Sequence, residues 1–295
     1  MTASHLLSLG GQLALWVTRD ANLFERNGVN VDLRPVEGTA ATGALLAGET
    51  QLALIGGSEA LHLAAGGADV VVIGVLEPVY PYQFEVPKDV KTAADLKGKK
   101  VSFGSGTGSS GTATTLVLKQ LGLDPDKDVV TVHFSGGVPA RLAAMQSGAI
   151  DAALITPPDN LAVEAAGFHS LVDTAELGLH AANETMLMKR SWLETNRPTA
   201  QKFVNAAVQG IAELKRNRQA GIAALAKYQK IQGQQALDAA YDFFAKEEIP
   251  DVPEPRPEMF ADILTIASAQ NPQVKNVSLE RLLDASLMQA AGSAK

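Results

Sequence analysis

Cysteine is absent from all 295 residues. Its absence excludes thiolate metal ligands, disulfides and a cysteine nucleophile. Charge is also sparse: Asp, Glu, Lys and Arg make up 19% of the chain, and basic residues come in short groups such as Lys99-Lys100 and Lys215-Arg216. Net charge is −7, so the chain lacks the concentrated basic face that a phosphate backbone demands, and no nucleic-acid partner is expected. Long hydrophobic runs are missing too. Stretches such as Val70 to Ile73 are far too short to span a bilayer. The opening residues Met1-Thr2-Ala3-Ser4-His5 lack the charged and apolar regions of a signal peptide. They fit either a cytoplasmic protein or a chain that begins near its mature start. The five histidines (His5, His62, His133, His169 and His180) are scattered without metal-ligand spacing. No G-x-S-x-G elbow occurs. No metal, cofactor or catalytic residue is therefore expected.

What is present is a globular composition, with 46% hydrophobic residues in a chain long enough for two compact units. Short apolar or β-branched runs alternate with helical patterns. The runs predict strands at Leu6–Leu9, Val29–Pro35, Gln51–Ile55 and Val70–Val75. Later strands are expected at Lys100–Phe103, Val129–Phe134, Ile150–Ile155 and Glu184–Met188. The alternation predicts an α/β fold with parallel sheets and helices on both faces.

An echo at an offset of 100 residues sharpens this. The segments 48–67 and 148–167 share seven of twenty positions, including Ala53-Leu54-Ile55 against Ala153-Leu154-Ile155. About two matches are expected from composition. The echo predicts two copies of one α/β unit, although any two strand–helix units rich in Ala, Leu and Gly share some likeness. After residue 190 the pattern is helical, with Phe203, Val204, Ala207, Val208, Ile211 and Leu214 on one face. Pro250, Pro253, Pro255 and Pro257 mark an extended linker, followed by helices near Glu258–Ala269 and Leu279–Ala290. This strandless tail is expected to pack back on the first unit.

In a parallel α/β sheet, ligands bind beyond the carboxyl ends of the strands. Six loops are expected there, and each is small or hydroxyl-bearing and leads into a helix. They supply Gly11, Gln12, Thr39, Gly57 and Ser58 from the first half, and Ser105, Thr107, Ser109, Ser110, Gly137 and Thr156 from the second. Glycine lets a ligand approach the backbone, and helix N-termini offer free N–H groups to oxygen atoms. Tyr82 sits between the repeats and offers a ring and a hydroxyl. Glu184, at the start of a strand, completes the set. Trp16 is read as either a cleft or a core residue. Gly106 to Gly111 fits G-x-G-x-x-G in form, but no acid ends the following strand His133-Phe134-Ser135, so a nicotinamide site is a minor reading. Glu59 and Asp159 read as carboxylates stabilising a first helical turn. Arg141 reads as a surface residue. None of the six loops carries Lys or Arg, which favours a small neutral or singly anionic ligand.

Several segments together resemble a known family. They are Leu15-Trp16-Val17 with Asn22-Leu23-Phe24, then Ala44 to Glu49, Ala94 to Val101, Arg141 to Ala144 and Gly148 to Ala153. Their order and spacing resemble the NMT1/THI5-like, nitrate/sulfonate/taurine-type substrate-binding proteins of ABC importers. The resemblance spans essentially the whole chain and does not specify a ligand. It implies a type II periplasmic-binding-protein fold, with two Rossmann-like lobes joined by a two-strand hinge. The lobes are expected at 1–84 plus 187–295 and at 85–186. The resemblance also implies hinge closure around a ligand, a periplasmic or membrane-anchored location, an ABC permease as partner and a monomeric state. By position, ligand contacts would fall on Gln12, Thr39, Ser58, Ser109, Ser110, Gly137 and Thr156. The alternative is an enzyme on the same fold, acting on a pyrimidine or quinone precursor. Enzymes of thiamine pyrimidine synthesis on this fold carry a cysteine-rich motif that this chain lacks. A sensor module is a third reading.

Overall fold

Buried β-branched and aliphatic runs define the central strands. In the computed structural model, which describes residues 1–5, 10–36, 39–104, 108–134 and 138–293, the first half builds one sheet and its helices. In chain order these are β1 (Thr2–His5), α1 (Gln12–Asp20), α2 (Leu23–Arg26), β2 (Asp32–Pro35), α3 (Thr39–Ala47), β3 (Leu52–Ile55), α4 (Gly57–Ala65) and β4 (Val70–Glu77). Every residue of β3 and β4 is buried, as expected of strands covered on both faces. The second half repeats the order with β5 (Gln83–Pro87), β6 (Lys100–Ser102), α5 (Ser109–Gln120), β7 (Val130–Val132), α6 (Val138–Gln146), β8 (Ala153–Ile155), α7 (Asn160–Ala165) and β9 (Phe168–Asp173). The chain then returns through β10 (Glu184–Lys189) to the first sheet.

The first sheet has the order β2-β1-β3-β10-β4. The strands of the second half form two ladders, β8-β5-β9 and β6-β7, joined by a bridge between Val101 and Ala152 and by Ser102 N–H donating to the Ala152 carbonyl at 2.9 Å. Their combined order is therefore β7-β6-β8-β5-β9. The two sheets have the same plan: β1, β2 and β3 correspond to β6, β7 and β8, and β10 and β5 occupy matching places as the inserted antiparallel strand. The 100-residue echo thus reports a structural repeat.

Three expectations are corrected. The sheets are mixed rather than parallel, because β10 runs antiparallel to β3 and β4, and β5 antiparallel to β8 and β9. A chain that crosses between two sheets and returns must run one strand of each in reverse. A strand lies at Thr2–His5 where none was expected; its Ser4 and His5 are polar yet buried, so its hydrophobic signal is weak. The run Leu6–Leu9 lies outside the described residues. Strand β9 escaped notice because FHSLVD is half-buried along its length and shows no clear alternation.

The tail is helical, as expected. It comprises α8 (Arg190–Arg216), α9 (Arg218–Ala224) with a π-helical turn at Leu225–Gln229, and α10 (Gln234–Tyr241) running into a π-helical segment at Asp242–Glu248. Then come α11 (Ala261–Gln270), α12 (Leu279–Leu282) and α13 (Ser286–Gly292). The apolar face of α8 buries Phe203, Val204, Ala207, Val208, Ile211 and Leu214 in the core of the first sheet. Each large side chain there contributes roughly 1.5–3 kcal/mol. Helix α13 packs on α8 and β4, and Asp284 N–H donates to the Val72 carbonyl at 2.9 Å. The tail does return to the first unit, with one addition: α11 lies against both α4 and α5, touching the two units together. Trp16 belongs to the core, edge-on to His5 at 5.6 Å and against Tyr228 at 5.2 Å.

Glu85 is an anomaly in this interior. It lies in the middle strand of the β8-β5-β9 ladder, is 0% exposed, and neither carboxylate oxygen has a hydrogen-bond partner. Burial, with a smaller contribution from Glu164, pushes its pKa up to about 8. Its ordinary value is near 4.5. A carboxyl that holds its proton more tightly when folded favours the native state at low pH, and that advantage is lost as pH rises through about 8. Glu85→Gln is therefore expected to gain on the native protein by roughly 2–4 kcal/mol between pH 5 and pH 8. Urea unfolding at both pH values checks this; a difference that stays constant with pH would show that the carboxyl is not buried uncharged.

Candidate functional site

Strand register determines what faces the gap between the sheets. Glu184 pairs with Glu77 and Thr185 pairs closely with Ile55, so the start of β10 lies beside the ends of β3 and β4. Gln83 pairs with Ile155, which places the start of β5 beside the end of β8. The carboxyl ends of the parallel strands in both sheets therefore face the two crossover segments, residues 78–82 and 174–183. This is where ligands bind in α/β sheets.

The crossovers are fastened to each other. Tyr82 N–H donates to Thr174 Oγ1 at 3.0 Å, Thr174 N–H donates to the Tyr82 carbonyl at 2.9 Å, and Asn183 N–H donates to the Glu77 carbonyl at 2.9 Å. Glu77 is fully buried. Its Oε1 accepts the Gly10 and Gly11 N–H groups, both at 2.8 Å, and its Oε2 accepts Asn183 Nδ2 at 2.6 Å. Asn183 Oδ1 accepts the Tyr82 hydroxyl at 3.1 Å. One polar chain thus joins the loop after β1 to both crossovers.

The predicted residues divide by position. Gly11 and Gln12 open α1; Gly11 belongs to the Glu77 cradle, and Gln12 is buried with neither amide atom hydrogen-bonded. A Cβ on Gly11 would lie 1.7 Å from Glu184 Oε2, so only glycine admits that carboxylate. Ser58 and Ser109 come together at the gap: Thr112 Oγ1 donates to Ser58 Oγ at 3.3 Å, and Ser109 Oγ lies 3.4 Å from Glu59 Oε2 and from the Asn183 carbonyl. The N-termini of α4 and α5 thus touch across the two units, and a Cβ on Gly56 would lie 1.8 Å from Ser109 Oγ. Gly57 packs against Ala182 and Phe260, and its N–H donates to the Ala182 carbonyl at 2.8 Å. Thr39 is exposed at the start of α3, and Thr156 is half-buried after β8. The half-buried Ser110 turns toward Gly104. Tyr82 is buried with its hydroxyl engaged by Asn183. Ser105, Thr107 and Gly137 lie outside the described residues.

Two readings of charged residues change. Glu59 stands in the first turn of α4 as expected, but it also meets Ser109 of the other unit, and burial raises its pKa. Arg141 is not a surface residue. It is half-buried, its Nη1 donates to the Leu154 carbonyl at 3.0 Å, and its Nε is buried without a partner. Burial lowers its pKa, and it lies near enough to Tyr82 for the two to affect each other's titration. One turn of α6 carries this guanidinium from outside the loops to the end of β8. The absence of Lys and Arg from the loops was therefore a poor guide to the charge of the gap.

Three residues went unread: Glu77, Asn183 and Glu248. Glu77 carried a usable signal, a carboxylate closing the apolar run Val70 to Leu76. Glu248 carried none, since Lys246-Glu247-Glu248 reads as a solvated charge run. The π-helical register of 242–248 turns Glu248 inward, where it is 3% exposed. Burial raises the pKa values of Glu77, Glu184 and Glu248; Glu77 raises Glu184 further, and Glu77 and Glu184 both raise Glu248. The three carboxylates therefore share one region.

This arrangement, two like α/β sheets with a polar gap between them and a double crossover beneath, defines a two-lobed ligand-binding fold of the periplasmic-binding-protein type. The sequence model of the NMT1/THI5-like family matches residues 12–220, and the chain belongs to that family. A putative aliphatic sulfonates-binding protein of Escherichia coli (strain K12) is 29% identical over 225 residues, covering 74% of this chain and 68% of that protein. The crystal structure of the periplasmic aliphatic sulphonate binding protein SsuA from Escherichia coli superimposes with a TM-score of 0.79 at 24% identity, covering 98% of each chain. The periplasmic nitrate-binding protein NrtA from Synechocystis PCC 6803 gives 0.76 at 14% identity, covering 99% of this chain and 88% of that one. Among the described residues no helix is long and apolar enough to cross a membrane.

The Glu77–Asn183–Tyr82 chain yields a stability prediction. Asn183→Ala leaves a buried carboxylate oxygen and a buried phenol without their partner. The expected loss is roughly 2–4 kcal/mol by urea unfolding. A loss below about 1 kcal/mol would mean that other donors take over.

Proposed function

We propose that this chain is the extracytoplasmic solute-binding component of an ABC importer. It would close two lobes around a small, singly anionic organic acid of the sulfonate class and deliver it to a membrane permease. The observation that carries this reading is the meeting of both sets of strand ends at one polar gap, with an unpaired guanidinium N–H on one side. Arg141 Nε has no partner, and a buried donor of that kind is costly unless a ligand meets it. A sulfonate or carboxylate suits it, since an ionised acceptor forms the stronger class of hydrogen bond with a guanidinium. The N-termini of α4 and α5 add N–H groups and positive dipole ends beside Ser58 and Ser109. The relative named for aliphatic sulfonates supports the choice of ligand class.

In this reading one lobe comprises residues 1–84 with 187–295 and the other residues 85–186. The lobes turn about the paired crossovers, and the protein works as a monomer outside the cytoplasm. Nothing in the reading requires the ligand to be changed chemically.

Two measurements test it. Calorimetry against a series of linear alkanesulfonates is expected to show saturable one-to-one binding, and Arg141→Ala should weaken it about tenfold or more without lowering the melting temperature by more than a few degrees. Binding unaffected by the substitution would remove Arg141 from the site. Small-angle scattering with and without a bound sulfonate is expected to show compaction; an unchanged radius of gyration would count against closure.

A further inference from the structure

Five of the ten arginines are ion-paired with carboxylates: Arg34, Arg197, Arg216, Arg218 and Arg256. Arg19 lies over the Tyr228 ring, 4.5 Å from its centroid. Arg26, Arg141, Arg190 and Arg281 form no salt bridge among the described residues. Two of these four, Arg190 and Arg281, line one cavity of about 340 Å³ although they stand far apart in the chain. In a protein of net charge −7, two guanidiniums brought to one hollow without a carboxylate partner call for a physical reason.

The cavity lies where α4 ends, β4 and α8 begin, and the chain turns into α12; Asp69, Asn276 and Ser278 supply the rest of its polar lining. It is remote from the gap. Val70 of β4 lines the cavity and Glu77 of the same strand faces the gap, seven residues or about 23 Å further along. Asp69 is the one acid in the lining, and it is already engaged. Its Oδ2 accepts the Ser191 N–H at 3.0 Å, and its carbonyl accepts the Arg190 N–H at 3.1 Å. Those two contacts take the first N–H groups of α8, so the site does not rest on a helix end. Arg190 Nη2 donates to the Arg281 carbonyl, which orients the half-buried Arg190 fork and leaves its other N–H groups without a protein partner. Ser278 Oγ accepts the Arg281 N–H at 3.3 Å and keeps its own O–H to donate. The Arg281 guanidinium and the Asn276 amide make no hydrogen bond among the described residues.

Two guanidiniums, a hydroxyl and an amide thus leave a set of donors unused around one hollow. That inventory suits a group that only accepts and carries negative charge. The planar guanidinium fork matches phosphate oxygens in both spacing and charge. The volume is that of a small-molecule site. We propose that this cavity is a second ligand site, which takes the phosphate group of a small phosphomonoester or of a phospholipid headgroup between Arg190 and Arg281. A phosphate there ties the start of α8 to residues 276–281 and offsets the repulsion between the two cations. The proposal does not depend on what the gap holds.

Inorganic phosphate, titrated by calorimetry at pH 7 and constant ionic strength, is expected to bind one-to-one with a Kd of about 1 mM or tighter. Arg281→Gln should weaken this binding about tenfold or more. Its melting temperature in phosphate-free buffer should stay within about 2 °C of the native value, because that guanidinium has no protein partner to lose. Arg141→Ala should leave phosphate binding unchanged. Two further probes identify the source of the phosphate. Glycerol phosphate that binds in solution points to a small ester, and sedimentation with phosphatidylglycerol vesicles but not phosphatidylcholine vesicles points to a headgroup. Either signal, lost in Arg281→Gln, supports the proposal. It is overturned if phosphate, glycerol phosphate and the anionic vesicles all fail to bind, or if Arg281→Gln binds them as the native protein does. Phosphate binding abolished by Arg141→Ala also overturns it, since the phosphate then sits in the gap.

Discussion

A carboxylate removed from water and given no cation must find N–H donors, and Glu77 finds them on two separate segments. Gly10 and Gly11 donate their N–H groups to it where a Cβ would strike Phe244 or Glu184, and this fixes where α1 begins. Asn183 turns its amide toward it, and this fixes where the second crossover re-enters the first sheet. Tyr82 is then held through Asn183, which places the first crossover. The floor between the sheets is thus organised by one buried acid rather than by apolar packing alone. The same acid makes the neighbouring Glu184 harder to ionise, so the structural demand and the acidic character of the gap share a cause.

The repeat was legible because it is written in buried residues. Ala53-Leu54-Ile55 and Ala153-Leu154-Ile155 are the middle strands of their sheets, where both faces are covered and few side chains fit. The helical tail was legible for a related reason: a long stripe of apolar residues has only one way to be buried. Strand direction was not legible. Whether β10 runs with or against its neighbours depends on the route of the chain between two sheets, and no local pattern encodes that. The strand at Thr2–His5 was missed because its buried Ser4 and His5 look polar, and β9 was missed because it is only half covered.

The site was legible in its scaffold and obscure in its charges. Glycine and hydroxyl loops ahead of helices marked Gly11, Gln12, Ser58 and Ser109, since those residue types suit helix starts and close backbone approach wherever they occur. Arg141 and Glu248 looked like surface residues because charge near a helix end or in a charged run normally is. Their burial comes from tertiary placement: α6 ends its first turn over β8, and a widened helical turn rotates Glu248 inward. Periodicity at an α-helical repeat cannot predict a π-helical register.

Helix α11 rests on α4 and α5 at once, through apolar residues that include Ile263, Ile266 and Ala267. Its Asp262 accepts the His180 N–H of the second crossover at 2.7 Å, and its apolar residues span the joint between the two units. In the proposed closure, parting the units slides or breaks its contact with α5, so the free energy of the open form depends on how well this helix is packed. A ligand's apparent affinity scales with the fraction of molecules already able to hold it. A methyl group gained or lost on α11 would then retune binding strength without altering which molecule is bound, giving strength and selectivity separate addresses in the chain.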